Sequence, residues 1–146
     1  MSPRSSGKII PQLWHVGAAR RADSEPNIEA PPVSPSGFTL KGQRNEKIKA
    51  LTKEEVVELI DAYAEAAANA KRIGFDGIEL YGAHGYLIDQ FFWELTNKRT
   101  DEYGGDLGER TKFAADIVRA CRREVGPNFP MSFVFHNGKA PTIKQN

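Results

Sequence analysis

Tyr81, His84 and Tyr86 stand close together in the segment FDGIELYGAHGYLIDQFFW, residues 75–93. Phenol and imidazole groups can hold an oxygen atom on which negative charge develops, and they can pass a proton to carbon or oxygen. The segment begins as an apolar, strand-like run and breaks at YGAHGY. Two other apolar runs end in the same way: KIIPQLW leads into His15, and PMSFVF leads into His136. All three histidines therefore follow a strand-like stretch. In parallel α/β folds the loops after the strands emerge on one face, where ligands bind. Gln12, Trp14, His15, Tyr81, His84, Tyr86 and His136 are expected to gather there. The plainer readings are that Trp14 is a large buried side chain and that Tyr86 anchors a short helix. No two histidines have the spacing of a local ligand pair, so no metal site is expected.

The elements that would position these residues can be read from periodicity. A strand is expected over Lys8–Trp14, interrupted by Pro11, which cannot donate to a ladder. Residues 17–51 hold Pro26, Pro31, Pro32 and Pro35 without helical periodicity, which predicts a long exposed loop. Thr52-Lys53-Glu54-Glu55 fits a capping box. Val56, Ile60, Tyr63, Ala67 and Ala70 then mark the buried face of a helix that stops at Gly74. A second strand is expected over Phe75–Leu80, followed by a short helix. A long helix over Glu109–Val125 presents Phe113, Ile117, Cys121 and Val125, and Gly126-Pro127 ends it. Pro130–Phe135 predicts a third strand, and the polar tail from 136 to 146 predicts no element. Strands alternating with amphipathic helices indicate parallel βαβ units.

Composition narrows the function classes. The chain has 146 residues, 40% hydrophobic and 27% charged, with a formal net charge of +1. That balance gives no electrostatic case for nucleic acid or an anionic membrane. No run is long enough for a transmembrane helix, and MSPRSSGKII lacks the apolar core of a signal peptide. A lone cysteine, Cys121, fits a reducing, cytoplasmic setting. YGAHGY lacks the GxGxxG pattern, no phosphate-binding P-loop sequence occurs, and Gly104-Gly105 reads as a tight turn. The pairs Arg20-Arg21 and Arg122-Arg123 read as solvated surface.

Taken together, KIIPQLWHVG, LTKEEV and GFDGIELYGAHGYLIDQFFWELTNKRTDEYGGDLGER resemble the old yellow enzyme family of FMN-dependent oxidoreductases. Within it the sequence looks like the branch of 2,4-dienoyl-CoA reductase-like and related NADH:flavin oxidoreductases. The likeness covers about residues 7–135. It implies an α/β fold, a (β/α)₈ TIM barrel in which this chain supplies about three βα units of eight. It also implies FMN across the strand ends, NADH or NADPH as reductant, and a small-molecule substrate with an activated C=C bond. By the same resemblance Gln12 would bind the flavin pyrimidine ring and Trp14 would shape the substrate side. Tyr81 and His84 would grip the substrate oxygen, and Tyr86 would deliver the proton.

The sequence departs from the family at three places within the matched segments, and the tail after Phe135 does not follow it. Tyr81 stands where the family has histidine, and Val134 where it has an arginine beside the flavin. Gly108 falls within GGDLGER, the counterpart of the family's GGSLENR turn. A complete barrel needs roughly 250 residues, so residues 1–146 read as one incomplete barrel domain. Two further readings stand beside the enzyme. One is a truncated, non-catalytic remnant acting as an interaction or structural module, able to self-associate through exposed strand edges. The other is an open α/β binding module for another ligand.

Overall fold

The computed structural model describes residues 7–135. His136 and the tail to residue 146 lie outside the described residues. The elements in order are β1 (Gln12–Leu13), β2 (Val33–Ser34), β3 (Lys49–Ala50), α1 (Lys53–Arg72), β4 (Ile78–Gly82), α2 (Leu87–Phe92), α3 (Leu107–Arg110), α4 (Lys112–Val125) and β5 (Met131–Phe135).

Helix α1 starts where the sequence demands. The Thr52 hydroxyl accepts the Glu55 amide at 3.1 Å, and the Glu55 carboxylate accepts the Thr52 amide at 2.9 Å. The predicted face of Val56, Ile60, Tyr63, Ala67 and Ala70 is buried throughout. At the far end Gly74 takes φ +97°, and the Phe75 amide returns to the Ala70 carbonyl at 3.1 Å, closing the helix. Phe113, Ile117, Cys121 and Val125 of α4 are buried as expected, and Phe91 of α2 lies 4.1 Å from Phe113, ring centre to ring centre. Helices α1 and α4 pack side by side. They connect strands of one parallel sheet ordered β1-β4-β5. Ile78 and Leu80 of β4 are wholly buried within the same core.

The strands depart from their expected spans for identifiable reasons. Only Gln12–Leu13 of the Lys8–Trp14 run forms ladder, because Pro11 has no N–H. The run still lies along β4, since the Ile9 and Pro11 carbonyls accept the Asp76 and Glu79 amides. The second strand is Ile78–Gly82, displaced from Phe75–Leu80. Phe75 is spent on closing α1, while Tyr81 and Gly82 pair with Val134 and Phe135. Tyr81 therefore belongs to the strand. The third strand begins at Met131, one residue after Pro130. The expected Glu109–Val125 helix is two helices, α3 and α4, meeting at Thr111. The first of these is opened by a capping box of Asp106 and Glu109, a signal the reading of the sequence passed over.

The 17–51 segment is more ordered than expected. A short 3-10 turn covers Gly17–Ala19, and β2 pairs in parallel with β3. Arg20 also departs from its solvated reading, donating to the carbonyls of Ser24, Asn27 and Ala30. Arg122 likewise donates to the Gly126 and Phe129 carbonyls, holding the turn into β5. The strongest tie of the 17–51 segment comes from NKRTDEYGG. The Arg99 side chain is 8% exposed, donates to the Pro35 carbonyl at 2.8 Å and the Leu51 carbonyl at 2.5 Å, and pairs with Asp101. Asn97 is buried and donates to the Phe91 and Tyr103 carbonyls, both at 2.8 Å.

Hydrogen bonds from Arg99 hold the Asp101 carboxyl below its ordinary range, against an opposing effect of burial. A depressed carboxyl pKa stabilises the fold above the unfolded value of about 4 and loses that contribution as pH falls through the folded value. Asp101→Asn should therefore lower stability by about 2 kcal/mol near neutral pH, because Arg99 loses its charged partner. Urea titrations of both proteins across pH should show a constant gap above about pH 5 that closes below about pH 4.

Candidate active site

Side chains alternate across a strand. Gln12, Glu79 and Ser132 therefore form one layer on the sheet face away from the Ile78–Leu80 core, and their contacts are polar. The Gln12 amide donates to Glu79 at 2.6 Å, and the Ser132 hydroxyl lies 3.4 Å from the other Glu79 oxygen. The next layer, toward the C-terminal strand ends, holds Trp14, Tyr81 and Val134, with Tyr81 directly opposite Val134 in register.

Beyond that layer the chain leaves β4 through a tight turn. His84 takes φ +57° and Gly85 φ +78°. The left-handed backbone costs a non-glycine residue about 1–2 kcal/mol, and such strain gathers at functional sites. Neighbouring bonds hold the turn in place. The Gly85 amide donates to Asp89 at 2.7 Å, and the Tyr86 amide to the Ala83 carbonyl at 3.3 Å. Tyr86 becomes the extended N-cap residue of α2.

These constraints bring four rings together. Trp14 meets Tyr86 edge-on at 4.6 Å between ring centres and Tyr81 at 6.4 Å. Tyr81 lies 5.8 Å from Tyr86 and stacks on His84 at 5.6 Å. Trp14 is 48% exposed, which corrects its reading as a buried side chain. Burial, followed by coulombic effects of Tyr86, Asp89 and Glu79, pushes the Tyr81 phenol pKa up, so the phenol stays neutral. Its hydroxyl is hydrogen-bonded to His84 Nδ1. The two groups share this bond, each able to donate or accept according to the imidazole tautomer.

His15 is placed differently. Its Nδ1 accepts the Gly17 amide at 3.0 Å, and its carbonyl accepts the Leu87 amide at 2.9 Å. Burial, with a smaller contribution from Arg20, lowers its pKa and favours the neutral ring that this acceptor role requires. It shapes a loop. Gln12, Trp14 and His15, together with Leu59 and Tyr63, also line an open cavity of about 260 Å³ between β1 and α1. No group of three or more His, Cys, Asp or Glu side chains among the described residues could hold a metal ion.

Gln90 escaped the sequence reading. It lies in the apolar run LIDQFFW and is 1% exposed. A carboxamide in such a run was itself the signal, because buried amides are hydrogen-bonded to something specific.

A family model described as NADH:flavin oxidoreductase / NADH oxidase family matches residues 4–136. Among curated relatives, 12-oxophytodienoate reductase 1 of Oryza sativa subsp. japonica is 41% identical over 127 residues, covering 84% of this chain and 33% of the relative. 12-oxophytodienoate reductase 2 of Arabidopsis thaliana is 41% identical over 131 residues, covering 84% of this chain and 35% of the relative. Among solved structures, morphinone reductase superposes with a TM-score of 0.79 at 30% identity, covering 89% of this chain and 38% of that one. A structure of morphinone reductase with tetrahydroNAD gives the same TM-score. The chain thus spans about a third of the length of the curated relatives it matches. Its parallel sheet and crossover helices are one part of the barrel in those structures, and the chain belongs to the NADH:flavin oxidoreductase / NADH oxidase family.

Proposed function

We propose that residues 7–135 form the substrate-gripping part of an FMN-dependent barrel that reduces an electron-poor C=C bond at the expense of NADH or NADPH. The observation that carries this reading is the cluster of Trp14, Tyr81, His84 and Tyr86 at the C-terminal strand ends. FMN, once bound and reduced by NADH or NADPH, would supply hydride to the substrate β-carbon. Gln12 fits the edge of a flavin ring, because a carboxamide offers a donor and an acceptor side by side. The flavin phosphate needs other strands of the barrel, and Val134 offers neither charge nor hydrogen bond.

The residues of this chain have separable tasks. His84 Nε2 donates to the substrate oxygen, where negative charge grows as the β-carbon is reduced. Tyr81 orients that imidazole and spends its own hydroxyl in doing so, so one donor serves where the family resemblance implies two. Tyr86 gives its proton to the α-carbon. Trp14, edge-on to Tyr86, walls the pocket on the side of β1.

A second reading, an interaction or structural module, is favoured by one observation. Strands β1 and β5 each pair on one side only among the described residues. Open edges of this kind accept strands from other copies, which is a route to self-association.

A titration separates the two readings. Residues 1–146 alone should fail to quench FMN fluorescence saturably at micromolar concentrations. A barrel completed with the remaining strands of a relative should quench it. Saturable binding to the chain alone would show that the remaining strands are not needed, and no binding by either would favour the module.

Tyr86→Phe in the completed barrel separates the two half-reactions. The substitution keeps the ring against Trp14 and deletes only the hydroxyl. Reduction of the bound flavin by NAD(P)H should be nearly unchanged, and reduction of an enone should slow by about 10²- to 10⁴-fold. Stopped-flow traces of each half-reaction check this. An equal loss in both would make Tyr86 a structural residue.

A further inference from the structure

We propose that Gln90 is a positioning residue that fastens the loop carrying His84 and Tyr86 to the loop that follows Trp14, and so sets the distance between the Trp14 and Tyr86 rings. The inference rests on the reading of those residues as a substrate pocket, and it adds the part that holds the pocket in register.

The geometry is specific. The Gln90 Oε1 accepts the Ala18 amide at 3.1 Å. Its Nε2 donates to the Gly85 carbonyl at 2.7 Å and to the Val16 carbonyl at 3.4 Å. One carboxamide thus bridges the turn after β4 and the turn after β1, using its acceptor and both donors. Gly17 lies against it, with φ +61°, and a Cβ there would come within 2.5 Å of the Gln90 Oε1. Only glycine permits both that backbone conformation and that approach. The Leu87 amide adds one parallel tie to the His15 carbonyl at 2.9 Å. Neither loop has a β-ladder at this level, since β1 ends at Leu13 and β4 at Gly82. The carboxamide therefore replaces sheet pairing where the rings have to meet. Being buried, it loses far more by having its partners removed than an exposed amide would.

The test compares the full chain with Gln90→Met, which keeps the length and apolar volume of the side chain and removes all three hydrogen bonds. It also uses Gly17→Ala, which wedges the bridge apart from the Gly17 side, where the added Cβ would meet the Gln90 carboxamide. Two-dimensional NMR reads the contact between the Trp14 and Tyr86 rings, and amide exchange reads Ala18. Both variants should lose most of the ring contact and exchange Ala18 at least tenfold faster, while α1 and α4 amides keep their protection. In the completed barrel Gln90→Met should lower kcat for enone reduction at least tenfold and leave flavin reduction by NAD(P)H nearly unchanged. A ring contact that persists in either variant would overturn the proposal. So would a loss of protection throughout α1 and α4 in Gln90→Met if Gly17→Ala leaves the rings in place, since Gln90 would then be only core packing. The ring contact is read without flavin or substrate, so it stands or falls separately from the assignment of Tyr86 as proton donor.

Discussion

Hydrogen bonds that hold Gln12 and Leu13 alongside Glu79 and Leu80 fix the position of everything above them. A slip of one residue would turn every side chain to the other face. In the observed register Leu80 enters the apolar core, and Gln12 meets Glu79 on the opposite face. One layer higher, Trp14 and Tyr81 come within ring contact. Burial of α1 and α4 in the same core as β4 enforces that register. Beyond the last paired residues, side-chain hydrogen bonds take over from the ladder, and Gln90 and Asp89 both hold Gly85.

What the sequence made legible follows from which forces are local. The α1 capping box, its apolar face and the glycine stop were readable because each depends on residues within a few positions of one another. Parallel order was readable from the alternation of elements. Strand limits were harder. Whether Tyr81 belongs to a strand depends on Val134, far along the chain, and nothing near Tyr81 carries that information. The same holds for Arg99. Its partners at Pro35 and Leu51 are backbone carbonyls, which have no sequence signature. The 17–51 segment looked irregular because its order comes from such long-range ties.

The candidate site was legible to a similar degree. Trp14, Tyr81, His84 and Tyr86 were expected at one strand-end face, and they meet there. His15 was expected with them and lines a cavity beside Gln12 and Trp14, while its Nδ1 accepts the Gly17 amide at the φ +61° turn. The motif NKRTDEYGG, specific as a family signature, does structural work here through Asn97, Arg99 and Asp101. A long matching motif therefore need not touch substrate. The departure at Tyr81 also acquires a physical meaning: its hydroxyl is hydrogen-bonded to the His84 ring, so the two side chains are positioned together.

The central claim is that His84 is the group that holds the substrate oxygen. It is tested most directly by calorimetric titration of a simple phenol into the FMN-loaded, completed barrel. His84→Ala should weaken binding by about tenfold or more, the scale of one hydrogen bond to an anionic oxygen. Tyr81→Phe, which leaves the imidazole in place, should weaken it less. Equal affinity in the parent and His84→Ala proteins would contradict the account.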